Sequence, residues 1–439
     1  MNNFETLIFL GILMGLIYLC DRKNFTKEAP LMYIRKIKKG LPFLEKYGSR
    51  HKKFFKTFGD MGIVFTFGIT GLWYIFAEKK YKRWTDLLLV FLAIISFVFL
   101  IGIFEKPIAS AVLTLVGASG VVFMMLLESA KAIITKKLTT PAVQLALPFD
   151  IAGAPIFYIP LEYFLSAIFV IVIIHEFSHS FVSIAHDIKV KSMGYGFLAF
   201  LPLGFAEMDE KKLKKAPSLV KSRVYSAGSF SNIICTILVL ILVSLVYAPS
   251  GFDYRGLVPD MPSAILPEKG TITQIDNNSI YGDISFYNTL ANCVPNQTIS
   301  ITVNDENYML KLTSNPQNES IPFMGIKRER FSTHMSAKPG IALTLAKAGI
   351  AGGFLLWVIN SMYMHLFWIW LISFAIALVN ILPIKFVLPL DGGFMFEELM
   401  KKMTTAKKAA RLSYYVSVIT LFVILFNFVG PFIMELVPF

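Results

Sequence analysis

The stretch Phe164 to Ile184 has the sequence FLSAIFVIVIIHEFSHSFVSI, a long apolar run that contains His175, Glu176 and His179. About 20 apolar residues are enough for a helix to cross a bilayer, so this run predicts a membrane span. On a helix, His175 and His179 project from one face, where they can share a metal ion, and Glu176 lies beside them as a general base. Ionisable side chains are costly in hydrocarbon, so the cluster predicts a functional site. The competing interpretation is a chance group of buried polar side chains bonded to neighbouring helices.

The composition is that of a membrane protein with several spans. Of the 439 residues, 55% are hydrophobic and 16% are charged, and the mean hydropathy is +0.62. The formal net charge is +13, but Lys and Arg are concentrated between the apolar runs, as in cytoplasmic loops. No stretch joins basic residues to stacking aromatic residues in a nucleic-acid-binding motif, so we expect no nucleic-acid partner. The three cysteines predict neither a disulfide framework nor a Cys-rich metal site.

Eight apolar runs are candidates for transmembrane helices. They are Phe4–Cys20, Met61–Ala77, Leu87–Phe104, Ile108–Leu127, Phe157–Ala185, Ser226–Tyr247, Phe354–Leu382 and Leu412–Val437. The first lacks the basic start and small-residue cleavage site of a signal peptide, so we expect a retained span. The sequence therefore predicts a polytopic α-helical membrane protein with about eight transmembrane helices.

Residues 250–340 differ in character from the rest of the chain. Short alternating runs such as Thr298–Val303 and Tyr308–Leu312, bounded by turn residues, predict a small water-exposed β-rich domain inserted between two spans. The predicted organisation has four regions: N-terminal membrane spans with a basic cytoplasmic loop (1–140), the first part of a membrane core with the metal motif (141–249), the β-rich insert (250–340) and the second part of the core (341–439).

Charge predicts the orientation in the cell membrane. The basic segments Arg22–Lys56, His186–Tyr225 and Lys401–Arg411 are expected to be cytoplasmic, which places the insert on the exterior side of a multi-pass protein. The basic segment Lys79–Arg83 would then be exterior, against the rule. The prediction follows the other basic segments, which together carry the larger excess of Lys and Arg.

A catalytic zinc site needs a third protein ligand and one open position for water. The best candidate is Asp391, in the segment NILPIKFVLPLDGG that begins at Asn380. Pro383 and Pro389 break the helix there, and irregular backbone at membrane depth is tolerated where it lines a cavity. The competing interpretation is that Asp391 caps a following helix. Beside the His pair we expect a ligand, and Glu207 is the next candidate.

In the order of its motifs the chain resembles the site-2 protease family of intramembrane zinc metalloproteases. The resemblance covers roughly Pro141 to Gly393 and rests on four features, namely His175-Glu176-x-x-His179 in a span, Ala227-Gly228-x-x-x-Asn232 opening the next, a PDZ-like domain, and Asn380-x-x-Pro383 leading to Leu390-Asp391-Gly392. It implies a zinc endopeptidase that cleaves transmembrane segments of membrane proteins within the lipid bilayer, in regulated intramembrane proteolysis.

The resemblance also implies a role for each matching residue. His175, His179 and Asp391 would bind one zinc ion per chain. Glu176 would be the catalytic acid and base, and Asn232 and Asn380 would assist around the substrate. The PDZ-like domain would filter substrates by capturing a peptide at a sheet edge, or would serve as a spacer without a ligand.

Two departures from the family pattern concern the zinc site. The link between Asn380-x-x-Pro383 and Asp391 contains the additional region Lys385–Val387, and Ser229 stands where Pro usually follows Ala-Gly. The first departure bears on the depth of Asp391 in the membrane.

The segment Met193–Met208 is apolar but short and interrupted by Gly and Pro, which predicts a re-entrant hairpin. The family has a membrane-dipping β-like loop at this place. An edge strand could hold a stretched substrate segment there, and the alternative is a plug over the zinc cavity.

Two other functions stay open at this stage. One is a membrane-embedded zinc protease that acts on cytosolic or prenylated peptides, and Asp391 and the exterior insert argue against it. The other is a non-catalytic metal transporter or scaffold, which would not need Glu176 as a base.

Overall fold

The computed structural model describes residues 3–78, 89–91, 107–151, 153–198 and 201–436. The chain forms two compact units, one made of residues 1–239 and 368–439 and the other of residues 240–367. The α-helices of the described residues are α1 (Asn3–Cys20), α2 (Leu41–Arg50), α3 (Lys52–Glu78), α4 (Pro107–Ile134), α5 (Leu161–Ala185), α6 (Glu210–Lys215), α7 (Ser218–Val246), α8 (Asp283–Ala291), α9 (Pro339–Ala346), α10 (Gly349–Asn380), α11 (Asp391–Met403) and α12 (Ala406–Glu435).

The described residues contain six helices that are long and apolar enough to cross a membrane, namely α3, α4, α5, α7, α10 and α12. Helix α1, at the predicted span Phe4–Cys20, is also apolar but shorter. The predicted class, a polytopic helical membrane protein with a β-sheet insert, is thereby confirmed. The predicted span Leu87–Phe104 lies outside the described residues apart from 89–91, and so does the segment Lys79–Arg83.

Helix α7 begins two turns before the predicted span, at Ser218 instead of Ser226. The added turns contain several polar residues, and Ser222 among them is buried within the protein. Arg223, in the same turns, donates a fork of two hydrogen bonds to Asp60 on α3, 2.8 Å from Nε to Oδ1 and 2.9 Å from Nη2 to Oδ2. A prediction from apolar residues alone leaves such turns out, although their polar groups can be buried because another helix provides hydrogen-bond partners.

The ion pair between Asp60 and Arg223 fixes α7 against α3. Both side chains are nearly inaccessible, with exposed fractions of 4% and 11%. One turn further along α7, Ser226 Oγ donates to the carbonyl oxygen of Gly59 at 2.9 Å. A two-point carboxylate–guanidinium contact sets both distance and orientation, so α3 determines where the start of α7 lies.

A four-stranded antiparallel sheet belongs to the first unit. Its strands are β1 (Phe25–Ala29), β2 (Met32–Ile37), β5 (Val190–Leu198) and β6 (Leu201–Met208), in the order β1-β2-β5-β6. The predicted hairpin is therefore present, as β5 and β6. The sequence did not indicate that β1 and β2, from the basic N-terminal segment, would extend it. Strand β6 is an edge strand of this sheet.

The second unit contains the predicted β-rich insert. Its main sheet has the order β11-β10-β8-β7-β14, and β9 (Asn278–Ser279) pairs with β8; the path consists of β11 (Glu306–Lys311), β10 (Thr298–Val303), β8 (Lys269–Ile275), β7 (Tyr247–Leu257) and β14 (Ile326–Ala337). Two small pairings are β12 (Thr313–Asn315) with β13 (Asn318–Phe323) and, in the first unit, β3 (Leu145–Leu147) with β4 (Ile156–Tyr158).

Helix α8 closes the core of the insert. Phe286 on α8 stacks on Phe252 of β7 with a centroid distance of 3.9 Å, and both rings are buried. Ile299 and Ile301 alternate inward on β10 and are fully buried, as the period-two pattern of that run predicts. These side chains belong to one buried cluster, which gives the insert a hydrophobic core of its own.

Candidate metal centre

Helix α5 brings the two histidines of the motif together. Its four-residue spacing places both rings on one face, and the Nε2 atoms of His175 and His179 lie 3.1 Å apart. His179 is buried and His175 is half-buried. Within the mostly apolar helix α5, the Nε2 atoms of two histidines thus face a common position.

Asp391 completes the group from a different helix. Its Oδ2 lies 3.3 Å from His179 Nε2 and 3.5 Å from His175 Nε2. The competing interpretation of Asp391 as a helix cap does not fit the structure, because Leu390 occupies the N-cap position of α11 and no side-chain cap is formed there. The carboxylate is instead directed at the histidine pair.

The additional region before Asp391 bulges outward and leaves Asp391 at the depth of the histidines. The backbone N–H of Leu390 donates to the carbonyl oxygen of Ile384 at 3.0 Å, which closes the base of the bulge. Lys385 forms an ion pair with the buried Glu397 of α11, so the bulge is joined to the helix that begins with Asp391. The apolar residues 386–388 at its tip are exposed.

A backbone carbonyl fixes the ring of His179. His179 Nδ1 lies 2.7 Å from the carbonyl oxygen of Val224 on α7. Because a carbonyl can only accept, Nδ1 carries the proton, and in the neutral ring Nε2 has a free lone pair. Metal-bound histidines commonly have such an outer partner. This contact was not predictable from the sequence, because any residue type can supply a backbone carbonyl and only the fold decides which one lies beside the ring.

Gly228 leaves room for both rings. A Cβ atom at this position would lie 2.3 Å from His179 Nε2 and 2.5 Å from His175 Nε2. Val224, Gly228 and Asn232 follow one another at intervals of four, so they share the face of α7 that meets the histidines. This spacing was the signal available in the sequence for a role of α7 in shaping the site.

The three donor atoms fit a tetrahedral zinc site. Their separations are 3.1, 3.3 and 3.5 Å. Ligands about 2.0–2.1 Å from a tetrahedral zinc lie roughly 3.3–3.4 Å from one another. Two imidazole lone pairs and a carboxylate oxygen that face each other repel unless a cation lies between them. Among the described residues, this is the one group of three or more His, Cys, Asp or Glu side chains arranged to hold a metal ion.

Glu176 contacts the four-stranded sheet. Its Oε2 accepts a hydrogen bond of 2.8 Å from the backbone N–H of Ala206 on β6. This N–H points away from β5, so the open edge of β6 borders the helix that carries the histidines and Glu176. The contact holds one carboxylate oxygen in place and connects the predicted base to an edge strand.

The remaining candidates lie as follows. Glu207 accepts a hydrogen bond of 2.6 Å from Ser192 and pairs with Lys36 at 3.1 Å, and it is not part of the metal-binding group. Asn232 is fully buried, with its side chain against His175. Asn380 is the last residue of α10 and is half-buried. The substrate-assisting roles of both asparagines stay predictions.

Comparison with known proteins gives two findings. The family model of peptidase family M50 matches residues 163–426, which is more than half of the chain and includes every candidate site residue. An uncharacterized protein of Methanocaldococcus jannaschii is 26% identical over 242 residues, which cover 54% of this chain and 57% of that protein. The match therefore spans less than two thirds of the length of this relative.

The close approach at Gly228 leads to a prediction. The substitution Gly228→Ala should weaken zinc binding by roughly 100-fold or more, because the new methyl group would lie against the Nε2 atoms of both histidines. Replacing a residue that only hydrogen-bonds to a metal-bound histidine already lowers metal affinity by about 10–100-fold. Competition with a chelator on the purified protein measures the affinity. Gly353→Ala on α10 is the control, since a Cβ there has no neighbour within 4 Å. Unchanged zinc affinity in Gly228→Ala would contradict the assignment of this metal position.

Proposed function

The chain belongs to peptidase family M50, the site-2 protease family of membrane zinc metalloproteases, and we propose that it cleaves transmembrane segments of other membrane proteins. The family predicted from the motifs is thereby confirmed. The observation that carries the proposal is the convergence of His175, His179 and Asp391 within a set of apolar helices. We propose these three residues as the ligands of one zinc ion per chain.

The chemistry of the site is peptide hydrolysis. A bound zinc ion supplies a Lewis acid that polarises the scissile carbonyl group and makes water more acidic. Glu176 accepts a proton from the attacking water while the water oxygen bonds to the carbonyl carbon. Glu176 then gives that proton to the amide nitrogen as the C–N bond breaks. The hydrogen bond from Ala206 orients Oε2, so Oε1 is the oxygen that we assign to proton transfer.

The position of strand β6 is evidence in favour of a membrane-embedded substrate. The peptide bonds of a transmembrane helix are hidden by its own hydrogen bonds, so cleavage requires a locally extended segment. Among the described residues, no strand pairs with β6 on the side away from β5, so a stretched segment can pair with β6 there. Because Ala206 on that edge contacts Glu176, a segment aligned with β6 would lie next to the base.

Replacement of the base gives the direct test. Glu176→Gln should leave a folded, zinc-loaded protein whose cleavage of a membrane-embedded peptide is slower by roughly 100-fold or more, as expected for loss of general-base catalysis. Zinc content and cleavage in liposomes are measured together. Glu210→Gln, on an exposed side chain, is the matched control and should cleave normally.

Two results of this experiment would change the proposal. Turnover that survives in Glu176→Gln would make this residue structural. Cleavage of soluble or prenylated peptides, with membrane-embedded segments left intact, would favour the second protease hypothesis. A zinc-loaded parent protein that cuts neither substrate would favour a scaffold.

We propose that the β-rich insert lies on the exterior side of the cell membrane. The support is the charge asymmetry of the segments around it. In a variant with serine at the three native cysteine positions, a cysteine introduced at Asn277 should react with an impermeant reagent added outside cells, and one at Lys212 should not. Both positions are exposed in their own units. The reverse labelling would invert the orientation.

We also propose that the insert is PDZ-like and filters substrates. A short helix at Pro262–Ile265 followed by β8 agrees with the helix-then-strand order of such domains. Tyr247 and Ala337 are paired on β7 and β14, so the chain enters and leaves the insert at one place and a short linker can replace Asp253–Thr333.

Deletion of that segment tests the filter. It should raise the cleavage of a segment that carries a large exterior domain, relative to the same segment with a short tail, because access changes while the metal site does not. The ratio of the two rates is measured in intact and shortened proteins. An unchanged ratio in a folded, zinc-loaded deletion variant would make the insert a spacer.

A further inference from the structure

Asn232 lies behind His175, on the side of the ring opposite to the metal ligand atom. Its Nδ2 is 3.2 Å from His175 Nδ1. The residue is fully buried, and its Oδ1 has no hydrogen-bond partner among the described atoms. A buried amide oxygen without a partner costs free energy comparable to a lost hydrogen bond, so this arrangement calls for a reason.

The backbone of Asn232 is held firmly. Its carbonyl oxygen accepts hydrogen bonds from Ser373 Oγ on α10 at 2.9 Å and from Thr236 Oγ1 at 3.0 Å. With the backbone held, rotation of the terminal amide exchanges Nδ2 and Oδ1 beside His175 and leaves the rest of the residue in place. The ring nitrogen stays its neighbour in either orientation.

The two amide orientations have opposite consequences for the metal. With Nδ2 toward the ring, Asn232 donates to Nδ1, and the proton of the neutral imidazole lies on Nε2. That proton blocks the atom that lies 3.5 Å from Asp391 Oδ2 and faces the other ligands. With Oδ1 toward the ring, Nδ1–H donates to the amide oxygen and Nε2 is free to bind a metal.

We propose that Asn232 is a positioning residue, whose Oδ1 accepts the Nδ1–H of His175 and so selects the ring tautomer that can bind zinc. This assignment replaces the substrate-assisting role that the family resemblance implies for Asn232. In this orientation Oδ1 has a hydrogen-bond donor as its partner, and Nδ2 takes the position that Oδ1 leaves. It rests on the proposed function only in that the histidines hold zinc.

His179 supports this assignment by an independent contact. Its Nδ1–H donates to the carbonyl oxygen of Val224. Val224 and Asn232 are eight residues apart on α7, with Gly228 between them, so one helix face presents two acceptors and a gap. Each acceptor holds one imidazole ring by its Nδ1–H. Helix α7 therefore determines the tautomer of both histidines.

Two substitutions separate an acceptor from a donor. Asn232→Asp keeps an oxygen toward His175 Nδ1, as in the carboxylate–histidine–zinc arrangement, whereas Asn232→Leu keeps the approximate size and removes every polar group. We expect Asn232→Leu to lower zinc affinity by roughly 10–100-fold, and Asn232→Asp to retain the parent affinity within a few-fold. A group that served the substrate through its N–H would leave zinc affinity unchanged in both.

Asn427→Leu on α12 is the matched control. Asn427 is likewise fully buried with an unpartnered Oδ1, but its Nδ2 donates to the carbonyl oxygens of Leu126 and Val423, away from the histidines. This variant measures the effect on stability of removing a buried amide elsewhere, and we expect it to keep the parent zinc affinity. Thermal unfolding of all variants without metal shows whether each is folded.

The measurement is zinc competition with a chelator, together with the visible spectrum of the cobalt-substituted protein. The inference predicts a changed cobalt spectrum for Asn232→Leu and a parent-like one for Asn232→Asp. It is overturned if Asn232→Leu binds zinc like the parent, or if Asn232→Asp loses affinity as severely as Asn232→Leu while Asn427→Leu does not. No substrate is involved, so failure of the proteolytic function is seen separately. A parent protein that binds no zinc would overturn both.

Discussion

The close approach of two imidazole nitrogens and one carboxylate oxygen among apolar helices is the constraint on which this molecule depends. His175 and His179 come from one helix and Asp391 from the start of another, with donor atoms 3.1–3.5 Å apart. Such a group is costly in hydrocarbon unless a cation and outer hydrogen bonds satisfy it. The neighbouring residues provide outer contacts of this kind. A backbone carbonyl fixes one ring, an amide contacts the other, and a glycine leaves the space between them.

Helices without ligands take part in the same task. Helix α7 carries none of the three residues of the metal-binding group, but Val224 and Asn232 on this helix contact the two histidine rings. The ion pair of Arg223 with Asp60 joins α7 to α3. The N-terminal segment contributes β1 and β2 to the sheet whose edge strand contacts Glu176. The parts of the chain that precede the metal motif thus have a physical connection to the site, which their sequence alone did not indicate.

Local patterns in the sequence were sufficient for the six long apolar helices of the described residues, for the presence of a β-rich insert and for the candidate metal-binding residues. The apolar run around His175, the alternation in β10 and the order of the motifs all depend on residues close in the chain. Contacts between distant segments were not predictable in this way. The pairing of β2 with β5 and the carbonyl of Val224 leave no residue pattern, although Asp60 in an apolar helix was a signal for a buried partner such as Arg223.

X-ray absorption at the zinc edge of the purified protein tests the central claim most directly, because it identifies the atoms around the metal independently of any substrate. The account predicts one zinc per chain with two imidazole nitrogens and a carboxylate oxygen at about 2.0–2.2 Å, and loss of the carboxylate contribution in Asp391→Ala. Sulfur ligands at about 2.3 Å, or a spectrum that Asp391→Ala leaves unchanged, would contradict it.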